Sequence, residues 1–199
     1  MTLQHRTRAT PREHLLALPG DEMIRHAAGS LTHAITVHCN RRQLWPWLIQ
    51  MGADRAGWYS YDVLDNGGRH SAERIVPGLQ SPSVGAVFPA LPGRRDGFLL
   101  LENEPTHWLV LGWPAPEDEG ELVVTWAFML QELDENTTRL IVRARASDEY
   151  RFHGLPKAMG LLLARVVHFV MERKQLLEIA RRAEGGQKEG AHHGSDATE

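Results

Sequence analysis

The sequence predicts an α+β domain in which a curved antiparallel sheet of about six strands wraps a long C-terminal helix, with short helices after the first strand. Three observations carry this reading. Apolar residues alternate in a series of short runs between Val84 and Ala146, and turn residues separate the runs. A single long helical pattern, from about Leu155 to Ala183, follows them. The strands are apolar on both faces: Trp126, Phe128 and Leu130 alternate with Ala127 and Met129. An open antiparallel sheet usually gives one polar face to water, so both faces of this one are expected to be covered.

Taken in order, residues 1–30 read as an N-terminal arm, 31–184 as the domain and 185–199 as a disordered tail. In the arm, Thr10-Pro11-Arg12-Glu13 offers a capping box with proline at the first helical position. Leu15, Leu16 and Leu18 are expected to pack on the domain before Pro19-Gly20 ends the turn. Thr32–Cys39 alternates and reads as the first strand. Asn40, with Gln43 three residues on, caps a helix that Pro46 should distort, because proline has no N–H for the Arg42 carbonyl. Helical pieces are expected over Ser60–Asn66 and from Ser71 to Pro77-Gly78.

Five strands follow, over Val84–Ala90, Gly97–Glu102, His107–Trp113, Glu121–Leu133 and Thr137–Ala146. Their short connections imply antiparallel neighbours. The last helix is roughly 40 Å long at about 1.5 Å per residue. It is apolar nearly all round between Met159 and Met171, so burial on more than one side is expected. Gly185-Gly186 should end it.

The totals restrict the function. With 199 residues there is room for one sizeable domain, and 42% hydrophobic against 24% charged residues is ordinary for a globular protein. A net charge of −3 with no basic stripe gives no nucleic-acid footprint. The longest apolar run, near Leu161–Met171, is interrupted by Arg165 and His168 and is too short for membrane insertion. No apolar run follows the basic N-terminus, so a cytoplasmic location is expected. Cys39 is alone and reads as a core residue, since its use as a nucleophile would need an activating base.

No phosphate loop or nucleophile elbow is present, so no cofactor is expected. Nor is a metal expected: His168 and Glu172 lack a third ligand at a recognisable spacing, and His192-His193 is no designed site.

Trp45–Asn66 (WPWLIQMGADRAGWYSYDVLDN) and His168–Lys174 (HFVMERK) resemble bacterial members of the SRPBCC superfamily, which includes START-like lipid-binding and polyketide cyclase/dehydrase-like proteins. The resemblance covers roughly Leu31–Ala183. It implies a helix-grip fold and a hydrophobic cavity between sheet and C-terminal helix, and it carries over no catalytic residue.

Trp58, Tyr61, Asp62, Trp108, Trp126, Phe128, Val167, His168 and Met171 are the candidate ligand-binding residues. The segment Gly57–Asp62 is either a pocket mouth or an aromatic anchor, and Asp62 either orients a ligand or serves its helix dipole. Arg165, His168 and Glu172 share a helix face, as an acid/base group or as a solvated stripe. In the first case the carboxylate should help His168 keep its proton. Arg143 and Arg145 share a strand face that meets solvent or an interface, or else points inward to select an anionic group.

Two functions follow. One is binding, transport or sequestration of a small apolar molecule. The other is a cyclase/dehydratase-type enzyme acting on a polyketide-like or aromatic substrate, with Tyr61, Asp62 or the His168–Glu172 pair moving protons. A homodimer formed through the second apolar sheet face is a further possibility.

Overall fold

The computed structural model describes residues 6–115, 121–148, 150 and 157–192, with side chains described along the last stretch only over 166–185. Six strands form one antiparallel sheet: β1 (Ala27–Val37), β2 (Val87–Pro89), β3 (Gly97–Glu104), β4 (Trp108–Pro114), β5 (Leu122–Asp134) and β6 (Thr137–Ser147). Their order is β1-β6-β5-β4-β3-β2. Strands β2 to β6 are sequential hairpin neighbours, as their short turns require. β1 lies beyond β6, so the segment between β1 and β2 crosses the sheet. That segment carries helices α2 (Arg41–Ile49) and α3 (Asp62–Asp65), and α4 (Lys157–His192) closes the chain. This is the helix-grip arrangement.

The pleat sorts the side chains onto two faces. Ile35, Leu140 and Leu130 form one cross-strand row on the concave face, and His33, Val142, Phe128 and Leu109 form the next. Leu176, Ile179, Ala180 and Ala183 of α4 complete this core with Leu44 and Leu48 of α2. Asn40 and Gln43 make the expected capping box. α2 nevertheless runs unbroken through Pro46. Trp45, Trp47 and Leu48 are all buried, and their packing outweighs the one hydrogen bond that proline removes. Cys39 belongs to the same core, where burial pushes its thiol up to about 12.

The convex face is covered by the N-terminal arm. Ala9 and Leu18 pack there with Ala34, Val110, Ala127 and Ile141. Gly20 holds a left-handed φ of 81°, and a Cβ there would meet Val110 Cγ1 at 2.7 Å, so the arm approaches as closely as only glycine permits. Leu15 and Leu16 depart from expectation and point to solvent. Arginines do most of the fastening. Arg143 donates to Thr32 Oγ1, the Leu16, Glu13 and His14 carbonyls and Asp21 Oδ2, the last at 2.6 Å. Arg139 pairs with Glu13 and holds its carboxyl down to about 2, and Arg145 donates to the Ile24 carbonyl. Arg143 and Arg145 therefore face neither the cavity nor open solvent but the chain's own arm.

Three other expectations are corrected. Ser71 starts no helix, and a short 3-10 turn forms instead at Pro77–Leu79. α4 continues through Gly185-Gly186 to His192, because glycine in a right-handed conformation costs only about 1 kcal/mol relative to alanine. Val166, Phe169 and Val170 are about half exposed, since sheet and α2 grip α4 from one side. Residues 193–199, including His193, lie outside the described residues. No helix among the described residues is long and apolar enough to cross a membrane.

Replacing Arg143 with methionine removes every one of its arm contacts at once. The expected loss is roughly 2–4 kcal/mol, because Asp21 keeps some contact with water. Chemical denaturation measures that loss, and limited proteolysis should show cleavage moving into residues 6–26.

Candidate functional site

Small residues on β6 create room on the concave face. The row that crosses Trp126 runs Leu31, Ala144, Trp126, Leu111, and Ala146 lies opposite Val124. Alanines at 144 and 146 reach less far toward α4 than Val142 and Leu140 do. A cavity of about 250 Å³ opens beside Trp126, with Trp58, Phe98, Val167, Met171 and Ala90 among its walls.

The Gly57–Ser60 turn aims one of these walls. Gly57 and Tyr59 both take left-handed φ values, 82° and 57°. Tyr59 accepts a 2.6 Å bond from Gln50 Nε2 and lies under the Arg182 guanidinium, which hold this unfavourable conformation. The turn sends Tyr59 into the core and Trp58 to the cavity. Trp58 donates to the Pro89 carbonyl at 3.0 Å and stacks on Trp126 with centroids 5.5 Å apart. Ser60 Oγ donates to the Met171 carbonyl, tying the turn to α4.

Besides Ser60 and Tyr150, polar groups enter the apolar lining from Asp65 of α3, Trp126 of β5, and His168, Glu172 and Gln175 of α4. Helix spacing of three and four brings the last three to one face. Glu172 is 2% exposed, and among the described residues its oxygens have no well-aligned hydrogen-bond partner, although the Trp126 indole N–H lies near enough to favour the ionised form. His168 Nε2 lies 3.4 Å from Glu172 Oε2, out of hydrogen-bond alignment. The edge of the His168 ring reaches solvent, but Nε2 itself is sealed from it.

Burial pushes the Glu172 carboxyl up to about 8, and the Trp126 indole offsets only part of this. Burial also drives His168 down to about 4, with His33 across the interface adding to it. The carboxylate therefore does not help His168 hold a proton, contrary to the sequence expectation, because Glu172 is itself neutral at pH 7. Asp65 is raised to about 6, by burial first and then by Asp62. At pH 7 His168 and Glu172 are therefore neutral while Asp65 is largely ionised, and Glu172 is buried rather than part of a solvated stripe.

The sequence candidates divide accordingly. Trp58, Trp126, Val167, His168 and Met171 meet at the cavity. Phe128 does not line it. It is fully buried behind Trp126, with centroids 4.9 Å apart. Trp108 lies on the opposite face, because it pairs with Met129 rather than Phe128 and so points into the convex cluster. Tyr61 is 41% exposed. Asp62 faces away from the cavity and accepts from Ser71 Oγ and the Ser71 N–H, which fixes the loop after α3. It lines a separate polar cleft whose cations, Arg181, Arg182 and Lys174, are paired with Glu73 and Glu178. The Arg165 side chain lies outside the described residues.

Sequence reasoning missed Asp65, Phe98 and Gln175 as cavity residues. Gln175, seven residues after His168, carried a helical signal. Asp65 carried none, since nothing local says that a carboxylate ending a one-turn helix will be buried.

No protein-family model and no curated protein matches the chain. Among solved structures it is similar to a protein from Mesorhizobium loti at 13% identity and a TM-score of 0.46, over 77% of this chain and 96% of that one. It is also similar to an aromatase/cyclase from a Streptomyces species at 11% identity and TM-score 0.39, over 78% and 93% of the two chains. A self-sacrificing resistance protein from Micromonospora echinospora is similar at 13% identity and TM-score 0.38, over 81% and 95%.

Glu172 sets a pH dependence of stability. Its carboxyl ionises near 4.5 in the unfolded chain and about 8 in the folded one. Between those values the unfolded chain has lost a proton that the folded chain keeps, so this residue's contribution falls as pH rises and levels off above 8. Glu172→Gln should therefore stabilise the fold at pH 8, by roughly 1–3 kcal/mol. It should make little difference at pH 4, and denaturation at the two pH values measures both.

Proposed function

We propose that the protein binds a small, largely apolar molecule in the cavity between Trp58, Trp126 and α4. The observation that carries this reading is a space walled by aromatic and aliphatic side chains, with Asp65, Glu172 and Gln175 at its border holding buried polar atoms that lack a well-aligned partner among the described residues. Buried polar groups are normally hydrogen-bonded, and a ligand would supply what the fold does not. The size suits a molecule of one or two rings rather than a long lipid chain, since about 250 Å³ is at the small end of ligand pockets. The arm packs on the convex apolar face of the sheet, the face through which a homodimer is a possibility.

A second reading, proton-transfer catalysis on a bound aromatic or polyketide-like substrate, is favoured by one pair. Glu172 keeps its proton near neutral pH and has the neutral imidazole of His168 3.4 Å away. A protonated carboxyl can act as a general acid and a neutral imidazole as a general base.

The test is binding of a neutral fluorescent probe, N-phenyl-1-naphthylamine, to the wild type and to Ala90→Trp, which fills the cavity from its wall. Saturable enhancement lost in the variant supports the reading. Equal enhancement in both proteins, or none in the wild type, overturns it.

A further inference from the structure

We propose that residues 61–70 form a hinged lid on the cavity, and that a ligand enters and leaves by the seam between the tip of this lid and the β2–β3 turn. This rests on reading the cavity as a ligand site and goes further by saying what regulates access to it.

The segment is a compact loop closed at its neck. The Ala72 N–H donates to the Ala56 carbonyl at 2.8 Å, and the Tyr59 N–H to Ser71 Oγ at 3.2 Å. Gly57 lies so close to Ser71 that a Cβ on it would meet the Ser71 Cα at 2.9 Å. Ser60 Oγ, bonded to the Met171 carbonyl at 3.1 Å, holds the neck on α4. Beyond the neck, the backbone bonds among the described residues close within the loop. Leu64 and Asp65 donate to the Tyr61 carbonyl, Asn66 and Gly68 to that of Asp62, and Arg69 to that of Asn66. A segment that satisfies its own backbone can turn about its neck as one piece.

Little holds the lid down. Val63 and Leu64 point to solvent, and the residues it buries are Asp65 and Asn66. Closure therefore gains almost no apolar burial. Asp65 is 5% exposed, and neither of its oxygens has a hydrogen-bond partner among the described residues. Turning the lid outward returns this carboxyl to water and recovers its desolvation cost. Segments with so few buried apolar contacts open at low free energy.

The contacts of the lid locate the seam. Asp65 on the lid and Ala90, just after β2, both border the cavity. A Cβ on Gly67, at the tip, would lie 3.8 Å from Pro92 Cβ, so the tip rests on the β2–β3 turn. Asp54 clasps both sides: it accepts from Arg69 of the lid and, at 2.6 Å, from the Gly93 N–H of the turn. Arg69 and Asp54 are both in contact with solvent, so salt screens the clasp.

The experiment is stopped-flow binding of N-phenyl-1-naphthylamine to the wild type and to the double variant Gly67→Cys, Pro92→Cys, oxidised and reduced. The 3.8 Å separation suits a disulfide, whose Cβ atoms lie about 3.5–4.5 Å apart, and Cys39 is buried elsewhere. Oxidation should slow entry and exit alike by about tenfold or more, and reduction should restore both rates. Arg69→Gln should speed both about two- to fivefold, as expected for loss of an exposed ion pair. Added salt should do the same to the wild type, and it cannot act by steering, because the probe is uncharged. If the oxidised protein exchanges probe as fast as the reduced one, the lid is overturned and the ligand site stands. If the wild type binds no probe, the ligand site and the lid fall together. Where the cross-link does not form, rates unmoved by both Arg69→Gln and salt overturn the lid.

Discussion

The ladder between β1 and β6 is the constraint on which the rest of the structure depends. It joins the first strand of the domain to the last and sets Arg143 opposite Thr32 and Val142 opposite His33. With that register, even-numbered residues of β6 face α4 and odd-numbered ones face the arm. A slip of one residue would put Arg139, Arg143 and Arg145 into the core and Leu140 and Val142 outside. The cost of burying three guanidinium groups without their partners makes the register effectively unique. Both faces of the sheet, and hence both the cavity and the arm, follow from it.

Against this well-determined frame, the cavity is where local rules are broken. Interiors normally pair their polar atoms and neutralise or exclude their charges. Here α4 places a histidine, a glutamate and a glutamine on one buried face, and α3 adds an aspartate. Removing Glu172 from water costs free energy that the helix recovers one to two turns further along, where Leu176, Ile179 and Ala180 are wholly buried. The division is physical: the C-terminal half of the described helix anchors it to the sheet, and the half before it holds the buried polar residues. A site built on a rigid helix and a central strand is held more precisely than one built on loops.

Much of this was legible in the sequence because it depends on local periodicity and capping. The strands, their antiparallel order and both capping boxes were readable from alternation, turn residues and the spacings Thr10 to Glu13 and Asn40 to Gln43. What could not be read depended on partners distant in sequence. Trp108 and Trp126 look alike as strand aromatics, yet pairing with Met129 rather than Phe128 sends Trp108 to the other face. Arg143 and Arg145 showed that they share a face, but not that residues 13–24 would cover it. The spacing of His168 and Glu172 was plain. Their protonation was not, because burial, which neither residue encodes alone, decides it.

The arm has a consequence for the order of events when the chain is made. Leu16 and the arginine that binds its carbonyl are 127 residues apart, and Glu13 lies 126 residues before Arg139. At translation rates of about 5–20 residues per second, the arm leaves the ribosome on the order of ten seconds before the strand that receives it. Until then β1 too lacks its neighbour β6. The capping box of Thr10 and Glu13 closes within three residues and needs no partner, so it can give the waiting segment some local order. A segment made well before its partners is thus among the last to find its place, and the sheet's outer apolar face stays uncovered until it does.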